Sequence, residues 1–269
     1  MEGVTEIKGK QPGKSVAIFG GVHGNERIGI EVLRRLVEEL SPDAGVVYLV
    51  EGNPPAIEAG IRQLGKNLNR AFIKGNEGGE PEDVRARELM QLLDTCDALL
   101  DIHASNSKKS VPFIVCEQEA FDLARLLPFS IVSSGWDEIE PGASDGYMHQ
   151  LGKPALCLEC GYAEDFDAHT ALALCAVDTF LRYFGIKSGA AESATKEQQR
   201  IQVYKAVLKK TKNLSFAKEY GDFEALEEGV VFAQDGSESY VADRGDCIIF
   251  PRKDGALGSE AFILGKRLI

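Results

Sequence analysis

Positive charge is in short supply in this 269-residue chain: 30 Lys and Arg stand against 42 Asp and Glu, a formal net charge of −12. That balance argues against nucleic acid as a partner, since its binding depends on neutralising phosphates with Lys and Arg. Long apolar runs are missing as well. Nothing approaches the ~18 residues that read as a membrane span, so no membrane contact is expected. The opening MEGVTEIKGKQPGKS has no apolar core of a signal peptide, which points to a cytoplasmic protein. Paired cysteine motifs are scarce too. Cys96, Cys116, Cys157, Cys160, Cys175 and Cys247 lie mostly in apolar segments and read as reduced thiols rather than a disulfide frame. Cys157 and Cys160 form a CxxC, but no second cysteine pair accompanies it to complete a zinc site. In an extended strand Cys157 shares a face with Glu159 while Cys160 points to the other, so core packing is the better reading. Internal repeats are absent. What the chain does have is 44% hydrophobic residues, enough for a full core in one large domain or a large plus a small one.

Histidine numbers only four, and two of them sit in informative company. His23-Gly24-Asn25-Glu26 follows a short apolar run of strand type, residues 15–19 (SVAIF), which stops at Gly20-Gly21. Beyond it Ile28, Val32, Leu33, Leu36, Val37 and Leu40 recur at helical spacing. His23 and Glu26 therefore fall in a Gly-rich strand-to-helix turn, where open α/β sheets place their ligands. His103 ends a second buried-strand pattern, residues 98–102 (ALLDI). Two imidazoles and one carboxylate have the composition of an open zinc site, in which a fourth position stays free for water or substrate. Taken singly, His23 could cap the helix and His103 could be a satisfied core histidine.

Three further fragments carry chemistry. Asn67-Leu68-Asn69-Arg70 follows Gly52-Asn53-Pro54, with Arg62 upstream. Arginine suits a planar carboxylate because its fork of donors engages both oxygens and its charge is permanent. Arg62, Lys66 and Arg70 gather three cations within nine residues, a local sign opposite to the global one and suited to a small anionic substrate. Residues 154–161 (PALCLECG) form an apolar strand with a single carboxylate, Glu159. Burying a lone acid is costly without a partner or a task. A structural salt bridge would satisfy it; beside a metal site it becomes a general base. Residues 77–83 (EGGEPED) read as a solvated acidic loop without chemistry.

Together these fragments, GGVHGNE, GNP, NLNRAF, LLDIH and ALCLECG, resemble the succinylglutamate desuccinylase/aspartoacylase family of zinc carboxypeptidase-like hydrolases, in order across roughly residues 15–185. The resemblance implies that His23, Glu26 and His103 hold one zinc ion per chain. It makes Glu159 the residue that activates water and Arg62 the one that polarises the scissile carbonyl, with Asn69 and Arg70 gripping a substrate carboxylate. Two departures bear on the substrate. Family members usually read Asp-Leu-Asn-Arg where this chain has Asn67-Leu68-Asn69-Arg70. His149 occupies the place of the family's second carboxylate-binding arginine, and an unperturbed imidazole is cationic only below about pH 6.5. N-acetylaspartate is therefore not the expected substrate, and a monocarboxylate N-acyl amino acid is.

Beyond the catalytic region the chain changes character. Residues 167–184 are helical by periodicity, and residues 187–199 (KSGAAESATKEQQ) read as a linker. Short β-rich runs at 201–208, 230–233, 240–242, 247–251 and 261–264, punctuated by Gly and Asp, suggest a small antiparallel sheet or barrel. The expected organisation is a catalytic domain over 1–186, a linker over 187–199 and a small β domain over 200–269. The expected fold is α/β, a mixed and largely parallel sheet with helices on both faces. The expected reaction is hydrolysis of an N-acyl amide on an amino-acid-like substrate. A metallocarboxypeptidase acting on small peptides is the alternative within enzymes. A catalytically inactive metal- or metabolite-binding protein is the alternative outside them.

Overall fold

The structure, a computed structural model, describes residues 1–192 and 197–268; part of the expected linker, 193–196, lies outside the described residues. In chain order the first half runs β1 (Val4–Lys8), β2 (Gln11–Gly20), α1 (Arg27–Glu39), β3 (Ala44–Glu51), α2 (Pro54–Ala59), α3 (Pro81–Thr95) and β4 (Ala98–Ser105). It continues through β5 (Phe113–Cys116), α4 (Phe121–Ala124), β6 (Ile131–Ser134), α5 (Trp136–Ile139), α6 (Ser144–Gln150), β7 (Ala155–Tyr162) and α7 (Phe166–Tyr183). The remainder is all strand: β8 (Gln199–Leu208), β9 (Leu214–Phe216), β10 (Glu224–Ala225), β11 (Val231–Asp235), β12 (Glu238–Val241), β13 (Asp246–Ile249) and β14 (Glu260–Arg267).

Strands β3, β2, β4 and β7 lie side by side and parallel, and β5 joins β7 antiparallel. Alternation of side chains along β2 serves two cores. Val16 and Ile18 face a layer with Ile28 and Val32 of α1 and Val177 and Phe180 of α7. Ala17 and Phe19 face the other, with Leu89 and Leu93 of α3 and Met148 of α6. Both faces of the parallel part are thus covered by helices, which explains why its strands read as continuous apolar runs. This is the mixed, largely parallel α/β architecture expected from the sequence.

The C-terminal strands do not stand apart. β8 pairs in parallel with β6, and β14, β13 and β10 follow it antiparallel, so one sheet of 11 strands crosses the molecule. Three other strands, β12-β11-β9, form a second sheet that packs Phe232 and Tyr240 against Phe262 of β14. Extension through β6 carries the C-terminal segment up to the parallel half of the sheet.

Candidate active site

Two close backbone approaches shape the turn after β2. A Cβ on Gly29, at the start of α1, would lie 2.6 Å from the Ile102 carbonyl oxygen, so the helix can rest directly on β4 only without a side chain there. A Cβ on Gly24 would meet the Ala56 carbonyl carbon at 2.1 Å, which packs the His23–Glu26 turn onto α2. With β2, β4 and β7 adjacent, His103 stands beside Glu159 in register, and the carboxyl ends of the three strands converge.

His23, Glu26 and His103 meet there, 4%, 4% and 2% exposed, with ligating atoms all within 4.8 Å of one another. His23 Nδ1 is 2.7 Å from Glu26 Oε1, and His103 Nδ1 is 2.9 Å from Glu26 Oε2. The far side of each ring faces another acceptor: Asn67 Oδ1 lies 2.8 Å from His23 Nε2, and Asp101 Oδ2 lies 3.3 Å from His103 Nε2. A proton at His23 Nε2 satisfies Asn67 and turns the His23 Nδ1 lone pair toward the Glu26 carboxylate, whereas His103 Nε2 makes no hydrogen bond, Asp101 Oδ2 being taken by Ser144. At His23 that approach of lone pair and carboxylate calls for positive charge between them, either a second proton on the ring or a divalent cation. Glu26 is held well below the usual carboxylate range by the two neighbouring imidazoles, against a large desolvation cost. A metal fits this donor set, and Asn67 on His23 Nε2 is an outer contact of the kind that metal-bound histidines ordinarily keep.

The loop from Arg62 to Arg70 arrives by an unexpected route. The stretch EGGEPED is a solvated loop only in part: residues 77–81 are mostly exposed, but α3 begins at Pro81, and Glu82 and Asp83 in its first turn are 1% and 2% exposed. The Glu82 carboxylate accepts from the backbone N–H of Leu64 (2.7 Å), Gly65 (3.3 Å) and Lys66 (3.3 Å), and from Asn53 Nδ2 (3.3 Å). Lys66 Nζ bonds Asp83 Oδ1 at 2.5 Å, so this cation holds the loop rather than facing the cavity. The loop is tied back to the metal-site turn by Gly24 N–H on the Arg62 carbonyl, 3.2 Å. Its side chains then converge: Arg62 Nη1 donates to Glu26 Oε1 at 3.0 Å, and Asn69 Oδ1 accepts from Ser144 N–H at 3.2 Å. Arg70 pairs with Glu140 and donates to the Asn69 carbonyl at 2.6 Å.

A cavity of about 600 Å³ opens over this set, lined by His23, Glu26, Arg62, Asn69, Arg70 and Glu159 among others. Burial pushes the Glu159 carboxyl up to about 7, while His103 works to lower it. Cys157 shares that wall, as the strand alternation requires, and burial drives its thiol far up, so it stays protonated. All six cysteines are free.

His149 is the expected substrate residue that the fold does not bring to the cavity. Its Nδ1 bonds Asp137 Oδ2 at 2.8 Å and its Nε2 faces the Ala155 carbonyl at 3.2 Å, behind the wall that Asp137 and Asp145 form. Against the cost of burial, Asp137 and Asp145 raise it to about 9, so it is a cation at neutral pH but one already spent on those two acids. Its distance in sequence from Glu159 gave no sign of this: His149 lies on α6, which turns its side chain toward α5. The cavity residues that sequence reasoning missed include Glu140, just after α5, and Phe250, Arg252 and Glu260, from the segment between β13 and β14 and the start of β14. No local motif marks them; only the parallel joining of β6 to β8 delivers that segment to the site. Among the described residues no helix is long and apolar enough to cross a membrane.

Comparison with known proteins follows this geometry. Residues 12–183 match the succinylglutamate desuccinylase/aspartoacylase catalytic domain. A succinylglutamate desuccinylase of Pseudomonas syringae pv. tomato is 29% identical over 98% of this chain and 87% of its own length. A solved succinylglutamate desuccinylase from Vibrio parahaemolyticus superposes with a TM-score of 0.82 at 20% identity, covering 99% of this chain and 86% of that one. The product-bound ectoine utilization protein EutE (DoeB) of Ruegeria pomeroyi gives 0.77 at 22% identity, covering 98% and 88%. The chain belongs to the succinylglutamate desuccinylase/aspartoacylase family.

Proposed function

We propose that the protein is a zinc-dependent hydrolase that cleaves the amide bond of an N-acyl amino acid. The observation that carries this reading is the juxtaposition of a buried imidazole–carboxylate–imidazole set, in which both Nδ1 atoms face Glu26, with a desolvated carboxyl on the next strand. Zinc held by His23, Glu26 and His103 would lower the pKa of a water toward neutrality and polarise a carbonyl oxygen. Glu159 takes the proton that the attacking water gives up, and its carboxyl near pH 7 is matched to both halves of the task. It then returns that proton to the departing nitrogen, so the amine leaves neutral. Arg62, at the same edge of the cavity, donates N–H to the carbonyl oxygen as negative charge develops there, a contribution of about 3 kcal/mol in comparable sites. Asn69 and Arg70 line the same cavity beside the amino-acid end, with Arg70 already paired to Glu140. The activity named for the Pseudomonas relative, removal of a succinyl group from succinylglutamate, is of the same reaction class.

The test is metal content with turnover of a panel of N-acyl amino acids and dipeptides. One zinc per chain and release of free amino acid from the acyl compounds are expected. Glu159→Gln should retain the metal while kcat falls at least ~100-fold, the low end of general-base contributions. Turnover confined to dipeptides would move the protein to the carboxypeptidases, and a metal-loaded protein without turnover would make it a binding protein.

A further inference from the structure

Three guanidinium groups face the cavity, and their commitments differ. Arg62 is bonded to Glu26. Arg70 is bonded to Glu140 and to the Asn69 carbonyl. Arg252 is exposed and has, among the described residues, no carboxylate within ion-pair distance and no side-chain hydrogen bond; its guanidinium carbon lies 5.7 Å from the centroid of the Phe250 ring. Its own backbone is fixed, with N–H on the Ala261 carbonyl at 2.7 Å, so the side chain projects from an anchored edge of β14.

Acidic groups stand around it: Glu140, Glu260 and Asp222 all feel its charge. Glu140 is seated on Arg70 by an ion pair, so of the two guanidinium groups at this end of the cavity Arg252 is the one with no carboxylate at ion-pair distance among the described residues. An arginine fork that lines a cavity and holds no ion pair is a group that can bind a carboxylate through two parallel hydrogen bonds. Glu140, already seated on Arg70, repels a second carboxylate from that side, a device that sets specificity by disfavouring the wrong ligand.

We propose that Arg252, delivered by the C-terminal strands, receives the single α-carboxylate of the substrate, and that Glu140 closes Arg70 to a second one. This rests on the N-acyl amino acid reading and narrows it to monocarboxylates. It also gives the C-terminal segment a part in substrate choice and supplies the charge that His149 does not bring to the cavity.

The experiment compares N-acetylalanine, N-acetylalaninamide and N-acetylaspartate on the zinc-loaded wild type, Arg252→Gln, Arg252→Lys and Glu140→Gln. Kinetics are paired with calorimetric binding to Glu159→Gln protein, with and without Arg252→Gln. Arg252→Gln should raise KM for N-acetylalanine at least tenfold, with kcat nearly unchanged and the carboxamide unaffected; Arg252→Lys should recover part of the loss. Glu140→Gln should raise kcat/KM for N-acetylaspartate relative to N-acetylalanine at least tenfold. Equal losses on carboxylate and carboxamide in Arg252→Gln, or an unchanged aspartate-to-alanine ratio in Glu140→Gln, would overturn the assignment. Lack of turnover in the wild type would refute the deacylase reading alone. In that case the binding ratio of carboxylate to carboxamide, lost on Arg252→Gln or not, still decides the role of Arg252.

Discussion

Glu82 is far from the reacting atoms in sequence and makes no contact with the metal site, yet its removal should cripple the enzyme. Its carboxylate gathers the N–H groups of Leu64, Gly65 and Lys66 and the Asn53 amide. Those bonds set the path of the loop that presents Arg62 and Asn67. Hydrogen bonds to a charged group contribute ~1.5–3 kcal/mol each when short and buried. Here one is short and three are 3.3 Å long, and the loop is partly exposed, so water replaces some of what is lost. Glu82→Ala should therefore cost about 3 kcal/mol. For a domain of this size, that corresponds to a drop in Tm of about 6–10 °C. Glu82→Gln keeps one acceptor oxygen but turns an NH2 toward a backbone N–H, and about half the loss is expected. Because the proposed metal ligands come from the turn after β2 and from β4, zinc content should hold while kcat/KM falls ~10–100-fold through misplacement of Arg62. Limited proteolysis should show new cleavage within 60–67. Differential scanning fluorimetry, metal analysis and kinetics on the two variants suffice as assays. A Tm within 2 °C of wild type together with unaltered kcat/KM would refute the argument, and loss of zinc in step with activity would show that Glu82 acts on the metal site instead.

Two further outcomes are expected. His103→Ala should lose most of its zinc and its activity together, measured by metal analysis after dialysis against a weak chelator; full occupancy would remove His103 from the ligand set. His149 gives a pH signature with a definite sign: its folded-state pKa of about 9 lies above the unfolded value of 6.5. The stability it contributes is complete below about pH 6.5 and is lost as pH rises through 9, by on the order of 2 kcal/mol once the opposing desolvation of Asp145 is allowed for. Denaturant unfolding of wild type and His149→Gln across pH 6–10 should show the decline in the first and a flatter profile in the second; parallel curves would dissociate His149 from it.

Much of this protein was determined locally. The spacing of Ile28, Val32, Leu33 and Leu36 makes one apolar helix face whatever lies beneath it, and the unbroken runs of β2, β4 and β7 demand a sheet covered on both sides. A Gly-rich turn after such a strand places His23 and Glu26 at its carboxyl end, and the same rule places His103 and Glu159. The sequence alone therefore sufficed to name residues that the fold assembles into one buried cluster. Other features depended on contacts between distant segments. EGGEPED has the composition of a solvated loop, and only the burial of Glu82 under residues 64–66 turns it into the anchor of the site. Aligned position suggested a substrate-binding role for His149, but α6 turns its ring to Asp137. Arg252 carries no motif at all and reaches the cavity because β8 adds to β6, a pairing between strands 68 residues apart at their first residues (Ile131 and Gln199). Local patterns record what a segment must bury; which charges face one another is decided by the register of strands far apart in the chain.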